Sequence, residues 1–494
     1  MEQLIKITQK DNVAVAAKVI PTGETITVDN TQVTSKSEIP FGHKIALCDI
    51  KKDENVIKYG FAIGHATEDI AAGSFVHSHN LKTNLSRTIE YKYMPQKLTQ
   101  PEPIQRSFKG YMRKNGKVGI RNEIWIIPTV GCINKTAELI ANEANKRFHG
   151  MCDGFFAYTH PYGCSQMGDD QTSTQQILSG LVDHPNAAGV LVVGLGCENN
   201  NIDVFKPHIK NLDELRIKFL VTQQAGNELE EALELLLQLA ENAKNEKRQT
   251  VSVDKLIIGF KCGGSDAFSG ITANPLCGRI SDIITSCGGK AILTEVPEMF
   301  GAETILMARC KNEQVFNQTV SMINGFKDYF LRHNQVVYDN PSPGNKVGGI
   351  TTLEEKSLGC IQKGGKAIIT DVLEYGSRCV TSGLNLLTGP GNDMVSCTNM
   401  TAAGAHLILF TTGRGSPFGA PVPTVKISSN SELYKRKPDW IDYDAGKILS
   451  GVSFDSAANE LFEMILNITN GEKTTKNEQH DYREIAIFKD GVIL

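Results

Sequence analysis

The sequence predicts an α/β protein in which a small N-terminal β-rich module is followed by two Rossmann-like α/β blocks with mainly parallel sheets. Three observations carry this prediction. From Phe108 onward, short and continuously apolar runs alternate with longer amphipathic segments, the pattern of buried parallel strands joined by crossover helices. Before that point the apolar runs are broken by Gly, Pro, Asn and Asp and show no helical period. The chain is 494 residues long, which at roughly 100–200 residues per domain allows two to four domains.

In chain order, residues 1–95 contain NVAVAAKVI, PTGETITV, KIALCDI, ENVIKYG and GSFVHSHN, each an apolar run ended by a turn signal. Residues 96–106 are polar and proline-containing and read as a linker. The first α/β block, 107–248, holds candidate strands EIWIIPTV from Glu123, GFFAYTH from Gly154, AGVLVVGL from Ala188 and RIKFLVT from Arg216. Its clearest helix starts at Asn227 (NELEEALELLLQLAENAKNEKR), charged on one side and leucine-rich on the other. The second block, 249–494, holds KLIIGF from Lys255, KAILTEV, KAIITDVL and AHLILFTT. A Gly/Pro-rich loop interrupts it near Pro341, and it closes with a helix near Ala458 and a strand-like REIAIFKDGVIL.

Composition excludes several functions. Lys plus Arg number 51 against 55 Asp plus Glu, a net charge of -4, so no basic field would gather nucleic acid or anionic lipid. No apolar run is long enough to span a bilayer, and MEQLIKITQK does not read as a secretory signal. A cytoplasmic protein is the expectation. Twelve cysteines in a chain of this length are too sparse for a disulfide scaffold, and so read as core residues, metal ligands or reactive thiols. Neither GxGxxG nor GxxxxGK[ST] occurs in the right context, so no nucleotide cofactor is indicated.

Four predicted strands end in glycine and cysteine: TVGC at Cys132, HPYGCSQ at Cys164, GLGCENN at Cys197 and FKCGGSD at Cys262. Ligands bind at the carboxyl ends of strands in open parallel sheets, so these four ends suggest one shared crevice. The loops add His160, Glu198, Ser265 and Asp266. In the first module, His77 and His79 are two apart in an apparent strand, which projects both imidazoles from one face toward a metal ion, with Asn80 nearby. Arg414, in TTGRGSPFG, and Arg121, in GKVGIRNEI, are the natural carboxylate clamps, and Glu295 directly follows a strand.

These motifs, with SPGNKVGGITTLEEKSLGCIQKGG, GLNLLTGPGNDMVSCTNM and TTGRGSPFGAPVPTVKISSNSELY, resemble the altronate and galactarate dehydratases over almost the whole chain. The resemblance implies that the first module is of the SAF type, a separate subunit in the related sulfolactate sulfo-lyase. It also implies a hydro-lyase that converts a sugar acid to a 2-keto-3-deoxy acid with ferrous iron or a similar divalent ion such as Mn²⁺. For altronate the product would be 2-keto-3-deoxygluconate; galactarate or another aldarate is the alternative substrate.

Such a dehydration needs a base for the proton beside the carboxylate, an acid for the departing hydroxide, and charge to stabilise the enediolate. The sequence offers His160, Glu198, Asp266 and Glu295 for acid–base work. Asn80, Arg121, Ser265 and Arg414 are the candidates for substrate binding, and His77, His79, Cys132, Cys164 and Cys197 for the metal. Two other classes remain open: an iron–sulfur dehydratase in which three of Cys132, Cys164, Cys197 and Cys262 hold the cluster, and a sugar-acid sensor without turnover. The expected partner is a small sugar acid, with a homodimer as the assembly.

Overall fold

A computed structural model describes residues 3–29, 31–85, 89–97 and 102–494. The N-terminal module is antiparallel. One sheet orders Leu4–Ile5, Val13–Ala16, Lys44–Ala46 and Phe75–Val76, and another orders Asn55–Lys58, Phe61–Ala66 and Leu81–Lys82. Alternation in Thr25–Val28 buries Ile26 and Val28 and exposes the threonines, the one-sided pattern of a half-buried strand.

The first block is built on four parallel strands in the order Phe155–Ala157, Glu123–Pro128, Ala187–Gly194 and Ile217–Val221. The central two are buried along their whole length, which is why they read as unbroken apolar runs. Asn227 caps the helix Glu228–Asn245 by accepting a hydrogen bond from the Glu230 amide, and the helix lays Leu233, Leu236, Leu239 and Ala243 on the sheet. Arg248–Ser252 pairs antiparallel with Ser107–Met112, so a strand crosses the boundary the sequence suggested at 248/249.

The second block holds seven parallel strands: Ile369–Leu373, Gly383–Leu387, Lys290–Leu293, Ile257–Cys262, Leu407–Thr412, Thr424–Ser428 and Tyr443–Asp444. From Ile257–Cys262 the chain first builds toward one edge and then returns to lay Leu407–Thr412 on the other side. The carboxyl ends of these two neighbours are therefore the topological switch point, where open α/β sheets bind ligands. The closing REIAIFKDGVIL is not a strand. Its amides find side-chain acceptors instead, Ala486 on Thr398 and Phe488 on Tyr375, while Ile485 and Ile487 fill the core beside Trp125. No helix among the described residues is long and apolar enough to cross a membrane.

Candidate functional site

The switch-point crevice forms where the loop after Ile257–Cys262 meets the loop after Leu407–Thr412. The Gly413 and Arg414 amides both donate to the Gly264 carbonyl, which sets the exposed Arg414 on the loop next to Ser265, with its Nε 3.9 Å from where a Cβ on Gly344 would lie. Ser265 is buried, and its hydroxyl has no hydrogen-bond partner. Asn345 donates to the Ser265 carbonyl at 2.8 Å and Ala267 donates to the Gly348 carbonyl at 2.9 Å, so the segment after Pro341 forms a third wall. Asp266 does not face this space with a free oxygen. It accepts from Ser429, Asn430 and Ser269 side chains at 2.7, 3.0 and 3.0 Å and from two amides, so it holds the loop rather than doing the acid–base work expected of it.

The N-terminal module is fastened to this wall. Gly42 and Gly349 pack backbone to backbone; a Cβ on Gly349 would lie 2.2 Å from the Gly42 carbonyl oxygen. Lys44 and Lys58, both fully buried, reach Glu355 at 2.9 and 2.7 Å. Burial alone would push the Glu355 carboxyl up, but Lys44 and Lys58 outweigh it and hold it well below the usual carboxylate range. His77 lies 3.0 Å from the Lys346 carbonyl through Nε2, and burial pushes its imidazole down, so it donates as a neutral ring. Asn80 supports it by accepting from the His77 amide and donating to Phe75, which makes Asn80 a turn former. His79 is exposed against Phe75.

Behind the crevice lies a buried group of Cys262, Glu295, Glu298 and Cys360 whose ligand atoms all fall within 4.8 Å of one another. By residue type and distance these four could hold a metal ion. Three lysines already balance them. Lys363 places its ammonium 2.9 and 2.8 Å from the two sulfurs and 3.0 Å from Glu295. Lys261 pairs with Glu295 and, at 3.1 Å, with Asp393, and Lys356 reaches Glu298 at 2.9 Å. Three cations, Lys261, Lys356 and Lys363, thus meet three carboxylates, Glu295, Glu298 and Asp393. A dication would have to displace the Lys363 ammonium from the position it needs, so the group as arranged does not fit one. Glu295, expected as a catalytic residue, is buried within these pairs. Among the described residues no other compact set of three such donors occurs, so His77, His79, Cys132, Cys164 and Cys197 do not converge on one ion.

The other three cysteines sit on the first block, each after a parallel strand, and all are exposed. Two residues expected to be catalytic are buried beneath them. His160 donates from Nε2 to the Pro128 carbonyl at 2.8 Å and accepts at Nδ1 from the Tyr162 amide at 3.2 Å. Burial holds its pKa down at about 4, so it is neutral and fully bonded. Glu198 accepts from Thr129 at 2.6 Å and from the Leu195 and Gly196 amides; these bonds overcome burial and hold the carboxyl low. Both shape loops rather than face solvent. Arg121 precedes the Glu123–Pro128 strand, at the amino-terminal edge, where it grips Glu478 at 2.6 and 3.0 Å and two carbonyls. That buried fork occupies the guanidinium intended for substrate.

The sequence marks Lys58 in VIKYG as a cation or an ordinary solvated strand end, and it proves buried against Glu355; it does not single out Lys44, Lys261, Lys363, Glu355 or Cys360. A lysine inside an apolar strand, as in KIALCDI and GFKC, was the available signal, because lysine is almost never fully buried unless paired.

A β module fastened to the wall of a parallel sheet's switch-point crevice, with an exposed arginine and an unpartnered hydroxyl on its loops, defines a modular α/β protein with a candidate polar site at that crevice. Three family models match the chain in succession. Residues 2–84 match the altronate/galactarate dehydratase SAF domain, 110–244 the D-galactarate dehydratase/altronate hydrolase second domain, and 253–493 the D-galactarate/altronate dehydratase C-terminal domain. The chain is 50% identical to an altronate dehydratase of Escherichia coli (strain K12) and 49% identical to one of Bacillus subtilis (strain 168), each over 100% of both chains. It is also 31% identical to the galactarate dehydratase (L-threo-forming) of Escherichia coli (strain K12), over 91% of this chain and 90% of that one. It therefore belongs to the D-galactarate/altronate dehydratase family, and is a lyase.

Proposed function

We propose that this enzyme removes water from D-altronate to give 2-keto-3-deoxy-D-gluconate. The observation that carries the reading is the module docked on the Lys346–Gly349 wall, which turns the crevice holding Ser265 and Arg414 into a site for a polyhydroxylated monocarboxylate. Arg414 binds the carboxylate as a fork, and Ser265 supplies a hydrogen bond to a hydroxyl. Asp393, partly exposed, 3.1 Å from Lys261 and packed against Gly263 at the crevice, is the carboxylate we assign as base. It takes the proton beside the carboxylate, the C–O bond at the next carbon breaks, the protonated Asp393 returns its proton to the departing hydroxide to give water, and the resulting enol gains a proton at carbon from solvent and loses its hydroxyl proton to solvent to become the keto acid. Full-length relatives named altronate dehydratase support this substrate over the dicarboxylate galactarate.

Fe²⁺ or Mn²⁺ is the cofactor proposed, and the buried Cys/Glu group, already balanced by lysines, is not where it would bind. The test is an anaerobic screen of hexonates and aldarates for keto-acid formation with Fe²⁺ or Mn²⁺, with and without chelator. Altronate should be the best substrate and chelation should abolish turnover. Preference for galactarate would move the assignment to the dicarboxylate; binding without turnover would make the chain a sensor.

A further inference from the structure

We propose that Cys132, Cys164 and Cys197 hold an iron–sulfur cluster on the carboxyl-terminal edge of the first block's sheet. They follow three neighbouring strands, Glu123–Pro128 in the middle with Phe155–Ala157 and Ala187–Gly194 on its two sides. Their loops are tied to one another. The Gly131 amide donates to the Tyr162 carbonyl at 2.8 Å, the Asn200 amide to the Gly163 carbonyl at 3.0 Å, and the Ser165 amide to the Asn199 side chain at 3.0 Å. At Gly163 the approach is so close that a Cβ would lie 1.9 Å from the Thr129 carbonyl oxygen.

Beneath the thiols lies a polar layer whose bonds end in these loops. His160, Glu198 and Thr129 have been described, and Asn200 adds a bond to the Thr129 carbonyl at 3.1 Å. Burying this many polar groups is costly unless geometry at the surface is the return, and what they present at the surface is three sulfurs. Two sulfurs also receive side-chain donors, Cys197 from Gln223 at 3.4 Å and Cys164 from Ser165 at 3.7 Å, the kind of contact that tunes cluster potentials.

Three thiolates on one rigid edge suit a cluster better than a single ion, since the three sulfurs do not all approach within 4.8 Å. Cys262 is excluded as a ligand because it is buried in the other block against Lys363. On binding, each thiol releases its proton to solvent as sulfur bonds to iron. Two ferric ions, two ferrous ions and four sulfides give a core of charge +2, and three thiolates bring the total to −1. One iron then carries no protein sulfur and faces solvent. This site stands apart from the choice of sugar acid.

The full chain, treated anaerobically with ferrous and ferric iron and sulfide and then desalted, should turn brown. It should retain about four iron and four acid-labile sulfide per chain. Cys132→Ser, Cys164→Ser and Cys197→Ser should each lose most of that absorbance while melting as the parent does. Cys48→Ser and Cys262→Ser should keep it; Cys48 tests for adventitious uptake by an exposed thiol. A colourless chain, iron bound without labile sulfide, or a cluster that survives in the triple serine variant would overturn the proposal.

Discussion

The two parallel sheets end in the same glycine–cysteine signature and yet build opposite environments. On the first block the thiols of Cys132, Cys164 and Cys197 are exposed above a layer of fully bonded polar groups, a neutral His160 and a Glu198 carboxylate among them. On the second block Cys262 and Cys360 are buried among three lysines and three carboxylates. The signature marks a strand end with room for chemistry; the neighbouring charges decide which chemistry. A lysine one position before the cysteine in FKC turns a thiol site into an ion-pair centre, and TVGC, with no such lysine, leaves its thiol free.

If that contrast is right, the second block's buried centre carries stability and the exposed thiols of the first block's edge do not. Lys363→Met removes the charge that three partners share, so about 3–5 kcal/mol of unfolding free energy should be lost. Chemical denaturation would show it, and a loss under about 1 kcal/mol would mean that the ammonium is not what holds the centre.

Acid should act on both regions next, through histidines first and carboxylates later. His160 is held at about 4 against an ordinary 6.5, so the unfolded chain takes up its proton first. The stability His160 contributes is complete above pH 6.5 and is lost as pH falls from 6.5 to 4, about 3 kcal/mol in all. Glu298, held at about 2 chiefly by Lys356 against the opposing effect of burial, gives up its contribution only as pH falls from 4.5 toward 2. The chain has two tryptophans, Trp125 in the first block and Trp440 in the second. His406 in the second block is likewise held at about 4 by burial, so both blocks should lose stability in that window: fluorescence of both single-tryptophan variants should begin to change between pH 6.5 and 4, and signals unchanged down to pH 4 would show that the buried histidines are not held neutral.

Function gives a smaller free-energy change and sharpens the crevice assignment. Arg414→Ala should cost roughly 1.5–3 kcal/mol in kcat/KM, about ten- to a hundredfold, with the melting temperature nearly unchanged because the side chain is exposed. An early melt would show Arg414 to be structural. Smallest is the effect of the surface cysteines on folding: Cys132→Ser, Cys164→Ser and Cys197→Ser should each stay within about 0.5 kcal/mol of the parent. A thiol reagent should label these three in the native state and reach Cys262 and Cys360 only on unfolding.

Much of this was legible beforehand, for physical reasons. Buried parallel strands such as Ala187–Gly194 announce themselves as apolar runs, and the glycine–cysteine ends marked both edges. The pairing of charges over distance was hidden. Arg121 finds Glu478, 357 residues away, and nothing local distinguishes that from a substrate clamp. His160 and Glu198 had the right chemistry for catalysis, but burial and backbone partners spent it. Short strands with mixed flanks, Gly383–Leu387 and Thr424–Ser428, were missed because the runs between their glycines and prolines are only a few residues long.

The Lys44–Lys58–Glu355 triad has a consequence in the order of synthesis. The two lysines leave the ribosome first, and the carboxylate that neutralises them follows 311 and 297 residues later. At about 5–20 residues per second, that interval is roughly 15–60 s. Throughout it the module holds two lysines that cannot be buried, so its hydrated ammonium groups keep it from settling on nascent apolar surface. Docking waits until the helix bearing Glu355 has emerged, which places the closure of the crevice among the last events in the making of the enzyme.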